Sequence, residues 1–127
     1  MHRLLLIGLG GFVGSILRYL VSGWVQNLSN SFSFPFGTLA VNLIGCFVIG
    51  FLSYLAEERG VFTTEARLLI FTGFLGGSTT FSTFGNETVN LFRDGESSLA
   101  FFNIGSHIVF GILFVWIGRA IAYLIWK

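Results

Sequence analysis

The chain has 127 residues, 54% of them hydrophobic and 10% charged, with a mean hydropathy of +0.81. Soluble domains carry about 25% charged residues, so an ordinary soluble domain is excluded and the chain is expected in a bilayer, with length for one domain of about four spanning helices. The formal net charge of +1 gives no basic field to recruit nucleic acid.

The first apolar segment covers residues 4–25. Met1-His2-Arg3 ahead of Leu4-Leu5-Leu6-Ile7 looks like a signal peptide, but the apolar run outlasts the roughly 7–15 residues of a signal core. A retained first helix is expected. Gly10 and Gly14 are spaced for close helix contact. Arg18 sits well inside the segment, where a cation costs about 2.5–3.5 kcal/mol on insertion scales. It reads either as an anchor reaching headgroups or capping carbonyls, or as an attractor for an anion at a vestibule. The polar stretch 26–31 and the only proline, Pro35, mark a loop.

The second segment covers residues 36–56 and stops at Glu57-Glu58-Arg59-Gly60. Asn42 offers two donors and an acceptor, and Thr38, four residues earlier, shares its helical face. The pair is either interhelical glue or a polar stripe along a pore. Gly45 and Gly50 again suggest packing. The single Cys46 has no partner for an intrachain disulfide or a zinc site and reads as a small core residue.

The third segment, residues 64–92, carries Glu65 in its first turn and an interruption at Gly76-Gly77-Ser78-Thr79-Thr80-Phe81-Ser82-Thr83-Phe84. Backbone freed from helical hydrogen bonding is tolerated at membrane depth only where it is buried in protein or lines a cavity. Two half-helices, broken at Gly76-Gly77, are therefore expected around an ion or substrate site. Carbonyls of the first half suit a cation, and amides of the second suit an anion. Phe81 and Phe84 share a face, and a phenyl edge is electropositive enough for an anion to approach. Glu87, six residues past Phe81, is either buried or at a water-filled mouth.

After the turn Arg93-Asp94-Gly95-Glu96, the fourth segment covers residues 98–125, with Trp116, Tyr123 and Trp126 as interface anchors. His107 is the other titratable group expected at depth, either as an interhelical hydrogen-bonding group or on the ion path. Arg3, Arg59, Arg67, Arg119 and Lys127 outnumber Arg93 on the opposite side, which favours termini inside. No Ser-His-Asp order, paired carboxylates, phosphate loop or metal cluster occurs, so no enzyme is expected.

The residues Gly10-Gly11-Phe12-Val13-Gly14 through Arg18-Tyr19, Gly37-Thr38-Leu39 with Val41-Asn42 and Gly45, and Gly73-Phe74-Leu75-Gly76-Gly77 into Thr79-Thr80-Phe81-Ser82-Thr83-Phe84 resemble, in order and spacing, the Fluc (CrcB-type) fluoride channels. The match spans essentially the whole chain, strongest in the third segment and weakest in the fourth. The resemblance implies an all-α membrane protein with four transmembrane helices per subunit, the third broken near its middle. Two copies would pair as an antiparallel, dual-topology homodimer, or one copy with a sister chain as a heterodimer. The dimer would carry two pores that export fluoride passively across the cell membrane and protect against fluoride toxicity. On the same resemblance, Phe81 and Phe84 would meet dehydrating fluoride beside Asn42. Ser82 and Thr83 would lie on the hydroxyl track, Thr38 and His107 along the pathway, Glu87 near its end, and Arg18 at a vestibule. A structural sodium ion at the dimer interface would be held by the backbone carbonyls of Gly76 and Thr79.

Two features depart from the family pattern. Asn103, Gly111 and Val115 stand where relatives often have hydroxyl residues, and the charge bias leans one way although a subunit that inserts in both orientations should have balanced flanks. The competing readings are a small dual-topology proton-coupled exporter, for which Glu87 is the sole carboxylate candidate, and a noncatalytic scaffold, which leaves the broken third helix unexplained.

Overall fold

A computed structural model describes all residues, Met1–Lys127, and is helical throughout. Helix α1 runs over His2–Ser29, α2 over Phe36–Glu58, α3 over Thr64–Arg67, α4 over Gly76–Ser78, α5 over Phe81–Arg93 and α6 over Ser97–Trp126. Between α3 and α4 the backbone is a π-helix, Leu68–Leu75, so residues 64–78 form one continuous rod that ends at Thr79-Thr80. Helices α1, α2 and α6 are each long and apolar enough to cross a membrane. The third segment reaches a comparable length only by joining its pieces.

The ends of these elements follow from local chemistry. Helix α1 closes on Asn30 in the left-handed region (φ 51), a conformation asparagine tolerates better than most residues. Gln26 then clamps the loop that follows. Its Nε2 donates to the carbonyls of Ser31 and Phe34 at 2.8 and 3.0 Å, and its Oε1 accepts the Gly37 amide at 3.0 Å. Phe34, tucked under this loop, is almost fully buried against Phe36 and Phe102. At α3, the Thr63 hydroxyl caps the helix by accepting the Ala66 amide. Helix α5 ends in a Schellman turn around Gly95 (φ 78): Glu96 N–H donates to Leu91 and Gly95 N–H to Phe92.

Glycine sets the helix crossings. Helix α1 packs along the rod 64–78, and α6 packs chiefly on α2. A β-carbon on Gly10 would strike the Leu69 carbonyl and the Gly73 backbone, and one on Gly73 would strike Ile7 and Gly10 in return. Gly14 lies in the same way against the Phe74 carbonyl, and Gly77 against Gly11. The second pair repeats the device, with Gly50 on the Val115 backbone and Gly118 on Phe47 and Phe51. Apolar lipid gives no hydrophobic drive for helices to associate, so close backbone packing of this kind supplies the contact energy. Only 19 of the 127 residues are buried, and more than half of those are glycine or alanine. The large apolar side chains therefore face outward, toward lipid or another chain.

The break lies three residues later than expected. Gly76 and Gly77 are helical, because Gly77 is needed for close approach to α1 rather than for a turn. The extended residues are Thr79 (φ −109, ψ 155) and Thr80 (φ −151, ψ 122).

Candidate functional site

Hydroxyls and a cation tie up the last turn before the break. Ser78 Oγ donates to the Phe74 carbonyl at 2.6 Å, and Thr79 Oγ1 to the Leu75 carbonyl at 3.0 Å. Arg18 Nε donates to the Gly77 carbonyl at 3.1 Å. These contacts satisfy carbonyls that a helix C-terminus otherwise leaves open. On the far side of the break, Thr80 starts α5, its Oγ1 accepting the Thr83 amide at 3.3 Å. This is an ordinary N-cap.

Asn42 of α2 bridges the two halves. Its Oδ1 accepts the Thr80 amide at 3.0 Å, and its Nδ2 donates to the Thr80 carbonyl at 3.2 Å. One primary amide thus pairs with both backbone groups of one extended residue. The second hydrogen on Nδ2 faces His107 Nε2 at 3.1 Å. His107 Nδ1 lies 3.0 Å from the Asn103 carbonyl. Since a carbonyl only accepts, Nδ1 carries the proton and Nε2 accepts from Asn42. Both Asn42 donors are therefore committed.

The aromatic groups continue from His107. Its ring sits 4.3 Å from Phe84, centroid to centroid, and Phe84 is 5.4 Å from Phe81. Phe84 is half-buried, whereas Phe81 is 83% exposed on this single chain. Ser82 is exposed too, and its hydroxyl is 3.2 Å from Thr80 Oγ1, which in turn donates to Thr83 Oγ1 at 3.1 Å. Deeper along α5, Glu87 Oε1 accepts the buried Thr38 hydroxyl at 2.7 Å, and its other oxygen is buried without a partner.

Two cavities flank the Asn42–Thr80 pairing, and Thr80 lines both. One, of about 710 Å³, is walled by Arg18, Thr38, Thr83 and Glu87 among others. The other, of about 450 Å³, is walled by Asn42, Gly76, Thr79, Phe81, Phe84 and His107. The side chains expected on the ion path therefore divide into a polar chamber and a mostly apolar one, with Ser82 outside both. The sequence reading missed Thr80, the residue on which the division turns, although Thr80 followed by Thr83 three residues on is a legible N-cap signal. It also gave no role to Thr88, whose hydroxyl accepts from fully buried Asn103 at 2.9 Å. Asn103 thus bonds to α5 within the chain and does not face a chamber. No three His, Cys, Asp or Glu residues converge as a metal site.

Comparison with known proteins gives a consistent family. The model of the CrcB-like protein family, Camphor Resistance (CrcB), matches residues 5–119. A protein of Methanosarcina acetivorans named fluoride-specific ion channel FluC 1 is 44% identical over 94% of this chain and 89% of its own length. Fluoride-specific ion channel FluC of Methylobacillus flagellatus is 45% identical over 93% of this chain and 92% of its own. FluC of Chlorobium phaeobacteroides is 47% identical, covering 95% and 93%.

Proposed function

The chain belongs to the CrcB family of fluoride-specific ion channels, and from that premise we propose that fluoride passes from the Arg18 chamber to the Phe81–Phe84 chamber through the break at Thr80. The protein is a multi-pass membrane channel rather than an enzyme, and fluoride is its transported ion. The observation that carries the route is the meeting of the two cavities at one residue, Thr80, clasped by Asn42.

Each group on the route has a physical task. Arg18 gives the polar chamber a positive potential that concentrates anions. The Thr83 hydroxyl, which accepts from Thr80 and keeps its own proton free, replaces water as a donor while the ion sheds its shell, and Thr38 and Ser82 join it by turning their protons from Glu87 and Thr80 toward the ion. Phe81 and Phe84 present electropositive ring edges that an anion can approach as it loses water. His107 and Asn42 hold the far wall, and Glu87 lines the chamber mouth, where its carboxylate repels an anion unless screened by Arg18 or its Thr38 bond. Export through a channel is passive, the ion moving down its own electrochemical gradient.

A second copy, antiparallel to the first, completes the channel in this reading and gives two routes per dimer. The exposure of Phe81 and Gly76 on the isolated chain supports a covering partner. The same face suits a structural sodium ion at the dimer interface. The Thr80 amide goes to Asn42 and the Thr83 amide to the Thr80 hydroxyl, so the carbonyls of Gly76 and Thr79 receive no helical hydrogen bond. Carbonyls released in this way fit a hard monovalent cation without any acidic side chain. When bound, the ion would supply only positive charge and cross-linking of the two breaks.

The decisive experiment reconstitutes the purified chain alone in fluoride-loaded vesicles and follows efflux with a fluoride electrode. Fast electrogenic fluoride release, absent for chloride and lost in Phe81→Ile, is the expected result. Vesicles that hold their fluoride would overturn the proposal.

A further inference from the structure

Both donors of Asn42 and its acceptor are used within the chain, and the arrangement has a direction. The Asn103 carbonyl takes the proton on His107 Nδ1. That leaves Nε2 as a lone pair, and this lone pair receives Asn42 Nδ2. With Nδ2 fixed toward His107, Oδ1 points at the Thr80 amide while the other Nδ2 hydrogen reaches the Thr80 carbonyl. A flipped Asn42 amide would put its oxygen against the His107 lone pair and its hydrogens against the Thr80 N–H. Three of these contacts would then turn repulsive together.

We propose that His107 is a positioning residue for fluoride conduction: acting as a neutral acceptor, it sets the orientation of the Asn42 amide and so holds the Thr80 peptide open between the two chambers. This rests on the fluoride reading above and extends it to the group that keeps the route in shape. Imidazolium at residue 107 would carry a hydrogen on Nε2, aimed at the donor hydrogens of Asn42. The amide would have to flip or the ring withdraw, and either move releases Thr80.

Few other groups compete for this role. Cys46 of α2 lines the same cavity, and Glu87 of α5 is engaged by Thr38 on the other side of the break. On α5 the ring packs against Phe84. Residues 100–114 of α6 hold no other ionisable side chain, and residues 68–80 hold none at all.

The test uses the reconstituted full chain, with fluoride efflux measured from pH 8 to pH 5.5 and protein-free vesicles subtracted at each pH. Expected is steady efflux while the ring stays neutral and a fall of about tenfold at any pH where His107 takes up a proton, the scale of losing roughly one hydrogen bond. His107→Gln, which keeps an acceptor that does not titrate, should flatten the profile. It should also conduct better than His107→Leu, which has no acceptor. Efflux from His107→Leu equal to that of the parent overturns this inference alone, whereas no efflux from the parent at any pH overturns the fluoride reading with it. A second readout does not depend on flux: nitrogen NMR of the imidazole, with His2→Gln to remove the other histidine, should find the neutral ring protonated at Nδ1. A proton on Nε2 at neutral pH would overturn the proposal.

Discussion

Arg18 of α1 donates its Nε–H to the carbonyl of Gly77, two residues before the helix break, at 3.1 Å. A cation there meets the negative end of a half-helix, which stabilises a charge at a depth where it would otherwise be unfavourable. The same guanidinium lines the larger cavity. Structural and electrostatic work are thus combined in one side chain, and they separate by their response to salt.

Arg18→Gln should lose about 1.5–3 kcal/mol of stability, the range for a hydrogen bond to a charged group, measurable by thermal unfolding in detergent. Its fluoride efflux should fall below that of the parent most strongly at low ionic strength, with the gap narrowing as salt screens the field. An identical deficit at all salt concentrations would assign Arg18 a purely structural role.

Gly10→Ala and Gly73→Ala should each destabilise the fold by about 1–3 kcal/mol or more, because the added carbon meets backbone that cannot move aside. Gly8→Ala and Gly23→Ala meet nothing within 4 Å and should be neutral or slightly stabilising, as alanine is the better helix former. Comparing unfolding midpoints of the four variants checks both halves of this contrast.

Phe81→Ile and Phe84→Ile should differ in kind. Phe81 is exposed on one chain and contacts Phe84, so its loss should abolish efflux while leaving the isolated fold unchanged. Phe84 also packs on His107, so its replacement should lower efflux and stability together, the latter by about 1 kcal/mol. Parallel flux and melting measurements on both variants decide the matter.

Thr38→Val removes the only partner of the Glu87 carboxylate and should be destabilising by about 1–3 kcal/mol through the unpaired acceptor. Glu87→Gln keeps a carbonyl oxygen for Thr38 and should cost less. If fluoride efflux instead followed an imposed proton gradient and vanished in Glu87→Gln, the channel assignment would give way to coupled export.

The three long helices were legible because each is a continuous apolar run, bounded by charge such as Glu57-Glu58 or by loop chemistry such as Pro35. That the third segment is interrupted was legible from its glycines and hydroxyls. Its position was not, because Gly76-Gly77 reads equally as a breaker and as a packing surface, and only the proximity of Gly11 decides between them. The π-helix over Leu68–Leu75 has no compositional signature, since hydrogen bonding five residues apart leaves the apolar pattern intact. The Asn42–Thr80 pairing spans 38 residues of sequence and joins a side chain to a backbone, where residue identity at one end carries no information. Asn103 stands where relatives often have a hydroxyl residue, and it is fully buried and bonded to Thr88, a partner fixed by how α5 leans on α6.

The glycine seams also govern what can change over generations. Where α1 meets residues 64–78, and where α2 meets α6, main chain touches main chain, so those sites are closed to drift whatever the ion. Helix α5 carries Phe81, Ser82, Thr83, Phe84 and Glu87, and its one internal glycine, Gly85, has open space around it. A lineage can therefore retune the residues that greet the ion one at a time while the frame that holds them stays fixed.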